Sequence, residues 1–145
     1  MDKLVDLLKR LLADLSAYRI KTQYYHWNVE GPNFSEYHAF FATIYTAADA
    51  DIDPLAEHIR ALNAYAPGSF RRFQELTTIQ DEDTVPIAIE MLARTYADNQ
   101  KIVASAKAAH TAADELGQRG VVNFLEGIID AYEKQAWMLR AITKR

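Results

Sequence analysis

The stretch Leu4-Val5-Asp6-Leu7-Leu8-Lys9-Arg10-Leu11-Leu12-Ala13-Asp14-Leu15 sets leucines at three- and four-residue steps, with Asp, Lys and Arg between them. An α-helix turns once every ~3.6 residues, so these leucines form one apolar stripe that must be buried against another element. The pattern predicts a helix from about Lys3 to Val29, stopped at Gly31-Pro32. Asn33 with Glu36 three residues later resembles a capping box in which Asn replaces the usual Ser or Thr. A second helix then carries Phe34, Phe41, Ile44, Tyr45, Ile52, Leu55 and Ile59 to about Leu62.

Between Asn63 and Asp83 the helical period lapses. Ala66-Pro67-Gly68 reads as a turn, and Ser69 can cap a short helix from Phe70 to Leu76. After the acidic stretch Gln80 to Asp83, Thr84 is the expected cap of a third helix, with Pro86 in its first turn where a missing N–H costs little. Ile87, Met91, Ile102 and many alanines extend this helix to about Glu115, and Leu116-Gly117 supplies its stop. The last helix has the cleanest period, through Val121, Phe124, Leu125, Ile128, Ile129, Tyr132, Leu139 and Ile142. Four helices of about 25 to 30 residues, with one long connection between the second and third, describe an all-α four-helix bundle with a crossover. No linker or repeat interrupts residues 1–145, which are expected to form a single domain.

Composition narrows the chemistry. Half of the 145 residues are apolar and a quarter charged, as in an ordinary globular chain. Five Gly and four Pro are too few for a turn-rich β-sandwich. With no Cys, disulfides, thiolate zinc sites, iron–sulfur clusters and cysteine nucleophiles are excluded. The net charge of −4 disfavours nucleic acid and anionic membrane surfaces, and no basic patch offsets it. No apolar run approaches the ~20 residues of a membrane span. Met1-Asp2-Lys3 leads directly into the helical pattern without a signal-peptide layout, so a cytoplasmic location is expected.

Four polar side chains interrupt the apolar pattern in a suggestive way. His26 closes the first helix within Tyr24-Tyr25-His26-Trp27-Asn28, and His38 stands in the first turns of the second. Asp53 and Glu57, four apart, share a face of that second helix. Two imidazoles and two carboxylates suit iron(II), manganese(II) or zinc(II). The spacing, however, forbids a single-chain site. His38 and Asp53 are fifteen residues apart on one helix, roughly 22 Å at ~1.5 Å per residue, whereas metal–ligand bonds are only ~2 Å long. If the second helices of two chains cross antiparallel about a two-fold axis, His38 of one chain faces Asp53 and Glu57 of the other. The competing reading makes Asp53 and Glu57 part of a solvated stripe with Asp49, Asp51 and Arg60. His58 and His110 have no carboxylate at ligand spacing and are assigned ordinary surface or core roles. Tyr24, Tyr25, Tyr37, Tyr45, Trp27 and Trp137 are assigned to core or interface packing.

The string His26-Trp27-Asn28-Val29-Glu30-Gly31-Pro32-Asn33-Phe34, followed by His38, resembles the signature of the Dps miniferritins, a ferritin-like family. The run Asp53-Pro54-Leu55-Ala56-Glu57-His58-Ile59-Arg60-Ala61-Leu62 and the closing Glu133-Lys134-Gln135-Ala136-Trp137-Met138-Leu139 are similar to that family as well. The resemblance covers nearly the whole chain and keeps the twelve- and fifteen-residue gaps between the ligand positions. It implies a ferritin-like four-helix subunit with a short extra helix in the long connection. It further implies a hollow dodecamer with ferroxidase centres at two-fold interfaces, where His26 and His38 of one subunit and Asp53 and Glu57 of its neighbour bind iron. Trp27 matches the family's tryptophan beside the centre. The implied activity oxidises Fe(II), preferably with hydrogen peroxide, and stores ferric mineral in the shell, which limits oxidative damage.

Three departures from the family pattern stand out. Pro54 follows Asp53 inside the second helix, where it removes an N–H and crowds the carbonyl of Ala50, so a kink is expected beside a ligand. The stretch Gln118 to Asn123 lacks the aspartates that often line the pore admitting iron, leaving Asp114, Glu115, Glu126 or Asp130 to serve. The Lys/Arg-rich tail of DNA-binding members is replaced by Thr143-Lys144-Arg145, so DNA binding is expected to be absent or weak. The main alternative is therefore a shell-forming protein with an impaired centre, acting structurally or by weak DNA association. A di-iron enzyme acting on an organic substrate is disfavoured because paired Glu-x-x-His motifs are absent.

Overall fold

The computed structural model describes residues 1–144. It contains five helices in the order α1 (Asp2–Asn28), α2 (Phe34–Ala61), α3 (Phe70–Leu76), α4 (Ala88–Glu115) and α5 (Arg119–Thr143). The leucine stripe of α1 goes where its period requires. Leu4, Leu8, Leu11, Leu12 and Leu15 are buried in one core with Phe41, Ile44, Leu55 and Ile59 of α2, Met91 and Ile102 of α4, and Leu125 and Leu139 of α5. Each such side chain contributes about 1.5–3 kcal/mol by leaving water, and this burial rather than helical propensity holds four long helices together.

Side-chain pairs fix the topology. Asp14 meets Ser105, and Lys21 meets Asp98, so α1 and α4 are antiparallel. His110 faces Glu126, and Lys107 faces Glu133, as the short α4–α5 turn requires. The tight α1–α2 connection makes that pair antiparallel also, so α2 and α4 run parallel and the connection between them must cross the length of the bundle. All-α architecture of the ferritin-like four-helix type, with the extra helix α3 in the crossover, is what the helical periods and the resemblance predict.

Most boundaries fall where the sequence places them, and Ser69 caps α3 by accepting from the Arg72 N–H. The stop after α4 is a Schellman motif. Gly117 takes φ +68°, its N–H donates to the Asp114 carbonyl, and the Gln118 N–H donates to that of Ala113. Two caps differ from expectation. Asn33 makes no capping hydrogen bond, and its amide reaches the Tyr37 hydroxyl at 3.4 Å instead. Thr84 does not cap α4, which begins at Ala88 behind Ile87. Its hydroxyl donates to Glu82, and Pro86 biases Val85 away from helical backbone, which delays the start. Pro86 therefore precedes the helix, and Ile87 is exposed rather than in the core. Helix α2 runs unbroken through Pro54.

The crossover is pinned by polar groups. Buried Asp14 accepts from the Thr77 hydroxyl (2.8 Å), the Thr78 N–H (2.7 Å) and the Ser105 hydroxyl (2.9 Å). Farther along, Lys21 donates to the Gln80 carbonyl, Lys101 to that of Thr78, and Tyr24 to that of Thr84. These anchors line the outer side of α1 and α4 and lead to the bundle end where His26 and His38 lie.

Candidate metal centre

Helix α1 ends at Asn28 because Val29 is extended and Gly31, at φ +119°, turns the chain in a conformation closed to other residues. The His26 carbonyl is one of the last in the helix and thereby loses its regular i+4 partner. The Nδ1 atom of His38, in the second turn of α2, donates to it at 2.7 Å. The arrangement is reciprocal, because Nδ1 of His26 donates to the His38 carbonyl at 2.6 Å. A carbonyl oxygen can only accept, so each ring carries hydrogen on Nδ1. In the neutral imidazoles both Nε2 lone pairs are then free. Metal-binding histidines are usually oriented through their second nitrogen in this manner, and here each ligand candidate is held by the other's backbone.

The two rings stack at a centroid distance of 3.7 Å with 13° between their planes. A metal ion lies near the plane of the imidazole that binds it. Two nearly parallel planes this far apart cannot share one ion at ~2.1 Å from both nitrogens, so the pair as arranged offers its lone pairs to two separate ions. Phe34 stacks on His38 at 4.9 Å, and Tyr45 meets His26 edge-on at 5.2 Å.

Asp53 and Glu57 are not part of this cluster. They lie farther along α2 and are exposed. Among the described residues, no three His, Asp or Glu side chains of one chain converge on a common point. The structure thus brings His26 to His38 and leaves the two carboxylates apart, as the distance along α2 demands. Trp27, 63% exposed, and Trp137, 61% exposed, are surface residues of the single chain, whereas Tyr25 is fully buried. His58 packs on Phe124, while His110 has a partner that its own helix does not reveal, Glu126 on α5 at 3.1 Å.

Beside the pair, the Tyr25 hydroxyl donates to Glu82 at 2.8 Å, and Arg94 donates to the same carboxylate oxygen at 2.6 Å. Burial acts to raise the pKa of Glu82, but hydrogen bonds from Arg94, Thr84 and Tyr25 outweigh it and hold the group at about 2. Burial and the same carboxylate push the Tyr25 hydroxyl well above its ordinary range, so it stays a donor. Neither this buttress nor the roles of Phe34 and Tyr45 were read from the sequence. The positions 34, 38 and 45 share a helical face, which was the available signal. The Tyr25–Glu82 contact joins residues 57 apart and left none.

Comparisons with known proteins bear on the fold and the family. The ferritin-like domain family matches residues 5–145. A DNA protection during starvation protein of Brevibacillus brevis is 32% identical over 135 residues, which cover 93% of this chain and 91% of that relative. An uncharacterized low temperature-induced protein of Nostoc sp. is 33% identical over 139 residues, covering 94% of this chain and 78% of its own. The crystal structure of a Dps protein from Vibrio cholerae O1, described as a member of a broad superfamily of ferritin-like diiron-carboxylate proteins, superposes with a TM-score of 0.95. It is 30% identical, and the match covers 99% of this chain and 90% of that one. The periodic core, the crossed bundle and these relatives lead to one conclusion: the chain belongs to the Dps family of ferritin-like proteins.

Proposed function

We propose that this protein stores iron and protects against peroxide by oxidising Fe(II) at centres shared between two subunits. His26 and His38 come from one subunit, Asp53 and Glu57 from the other. The observation that carries the reading is the cross-bonded histidine pair, whose tautomers leave two Nε2 lone pairs for two ions. Iron here is substrate. Two Fe(II) ions give up one electron each to hydrogen peroxide, the O–O bond breaks, and both oxygens leave as water after taking up two protons. Pairing the electrons in one event avoids the one-electron cleavage that releases hydroxyl radical. The carboxylates neutralise part of the charge that grows on the ions, and the oxidised iron passes to a ferric mineral inside a closed homo-oligomer, a dodecamer on the family pattern. Trp27 stands next to His26 and belongs to the surroundings of the centre.

A surface feature supports the sharing. An apolar groove of about 400 Å³, lined by Leu12, Ile20, Ile52, Ala56, Phe70 and Phe73 among others, lies against α2, where Ile52 and Ala56 are the sequence neighbours of Asp53 and Glu57. It continues past Ile20 and Phe70 to Tyr24 and Trp27, next to His26. Phe70 is 83% exposed, and no residue of α3 is buried, which is costly for an isolated subunit and natural where a second copy covers the face.

The test is Fe(II) oxidation followed by absorbance, with and without peroxide, in wild type, His38→Ala and Asp53→Ala. The fast phase is expected to be stronger with peroxide and absent in both variants. Equal rates in all three would leave the alternative, a shell with an impaired centre beside Pro54. The solution mass is expected near twelve copies of the 16.5 kDa chain, and a stable monomer would remove the shared centre altogether. DNA retardation at low salt is expected to be absent or weak.

A further inference from the structure

We infer that Phe34 is a positioning residue for the proposed centre: its ring closes the outer face of His38 and keeps that imidazole in the tautomer and rotamer that present Nε2 to a metal ion. The inference rests on the shared-centre reading. Its starting point is a residue that the hydrophobic core does not account for. Phe34 is 43% exposed, yet its ring lies on His38 at 4.9 Å and 25°. It precedes His38 by four residues on α2, the spacing that sets two side chains on one face. Behind His38 lies His26, and behind His26 the edge of Tyr45, so the two imidazoles occupy the middle of a four-ring column.

The column supplies what hydrogen bonding does not. Each imidazole has one anchored nitrogen, the Nδ1 that donates to the other residue's carbonyl. A single bond of that kind leaves the ring free to swing about the N–H···O direction, or to flip and exchange Nδ1 for Cδ2. Among the described residues of the chain, no carboxylate hydrogen-bonds either ring to add a second anchor. His26 stacks on His38 and meets Tyr45 edge-on. His38 stacks against both His26 and Phe34. Removing Phe34 therefore opens one face of one candidate ligand while leaving its hydrogen-bond acceptor, a backbone atom, in place. A flat ring is required, because stacking restrains tilt, whereas an aliphatic side chain of similar volume only fills space.

The experiment uses the assembled protein with histidine labelled in nitrogen-15, examined by magic-angle-spinning spectra that separate the two imidazole tautomers. Signals are assigned with His58→Gln and His110→Gln. Zn(II) affinity is measured in parallel by calorimetry as a redox-inert probe. In the wild type both His26 and His38 are expected as the Nδ1–H form. In Phe34→Leu the His38 signals are expected to shift toward a tautomer mixture, with Zn(II) affinity falling by roughly tenfold, the lower end of the cost for disturbing groups that orient metal ligands. Phe34→Tyr keeps a flat ring and its hydroxyl can reach solvent, so it is expected to retain both properties. Phe34→Leu with wild-type tautomers, or with shifted tautomers and unchanged Zn(II) affinity, overturns the inference. Asp53→Ala, which leaves the column intact, tests the reading beneath it. Unchanged Zn(II) binding in that variant removes the shared centre, an outcome distinct from any obtained at Phe34.

Discussion

Tyr25 and Glu82 are joined by a 2.8 Å hydrogen bond that ties the last turns of α1 to the crossover, one residue from His26. The carboxylate also takes a 2.6 Å bond from Arg94 and a 2.8 Å bond from Thr84, so one half-buried acid gathers three donors, from α1, α4 and the crossover. This cluster clamps the crossover next to the candidate centre, and losing it is expected to be felt both in stability and at His26.

Glu82→Gln is expected to cost about 1–3 kcal/mol at neutral pH, the usual penalty for weakening hydrogen bonds to a charged group. The folded-state pKa of Glu82 is held at about 2, below its ordinary 4.5. A depressed value means that the stabilisation is fully present above about 4.5 and disappears as pH falls toward 2. Thermal melting of wild type and Glu82→Gln between pH 2 and 7 checks this. The gap in Tm should close over that acid window, and parallel curves would refute the assignment.

Lys21 and Asp98 form a buried pair at 2.8 Å, with side chains only 10% and 6% exposed. Burial raises the Asp98 pKa despite the opposing pull of Lys21. Lys21→Met strands that charge and is expected to cost about 3–5 kcal/mol, whereas Asp98→Asn should cost far less. Because the folded value is raised, the deficit of Lys21→Met should shrink in acid, as Asp98 becomes neutral. Urea unfolding of both variants at pH 7 and pH 4 decides the matter.

Gly31 holds φ +119° in the turn that brings His26 and His38 together. Space is not the obstacle, since an added Cβ meets nothing within 4 Å. The backbone conformation is, and Gly31→Ala is expected to cost about 1–3 kcal/mol, in line with other strained φ/ψ positions. The same variant should weaken Zn(II) binding, because relief of the strain moves α2 relative to α1. A melting temperature equal to wild type would show that the turn has an unstrained alternative.

His38→Ala removes one ring but not the backbone carbonyl that anchors His26. On the proposed reading, in which the stacked rings serve separate ions, this variant is expected to keep part of its Zn(II) stoichiometry, and His26→Ala with His38→Ala to lose what remains. Calorimetric titration gives the counts. Binding in all forms should weaken in acid, where protons compete for the imidazoles and carboxylates.

The sequence by itself determined the helices and their burial, because a 3.6-residue apolar period is a local property that each segment carries alone. It also determined that His38 and Asp53 cannot meet within one chain, since a rigid helix fixes the distance between any two of its residues. Where it went astray, at Asn33 and Thr84, local capping rules lost to contacts made elsewhere: Asn33 turns to Tyr37, and Thr84 serves Glu82. Only the tertiary structure decided how His26 and His38 exchange backbone hydrogen bonds, that Phe34 and Tyr45 bracket them, and that Asp14, Lys21 and Glu82 pin the crossover. Those contacts join residues far apart in the chain or on different helices. They depend on the angle and register at which finished helices pack, and a periodic pattern encodes neither.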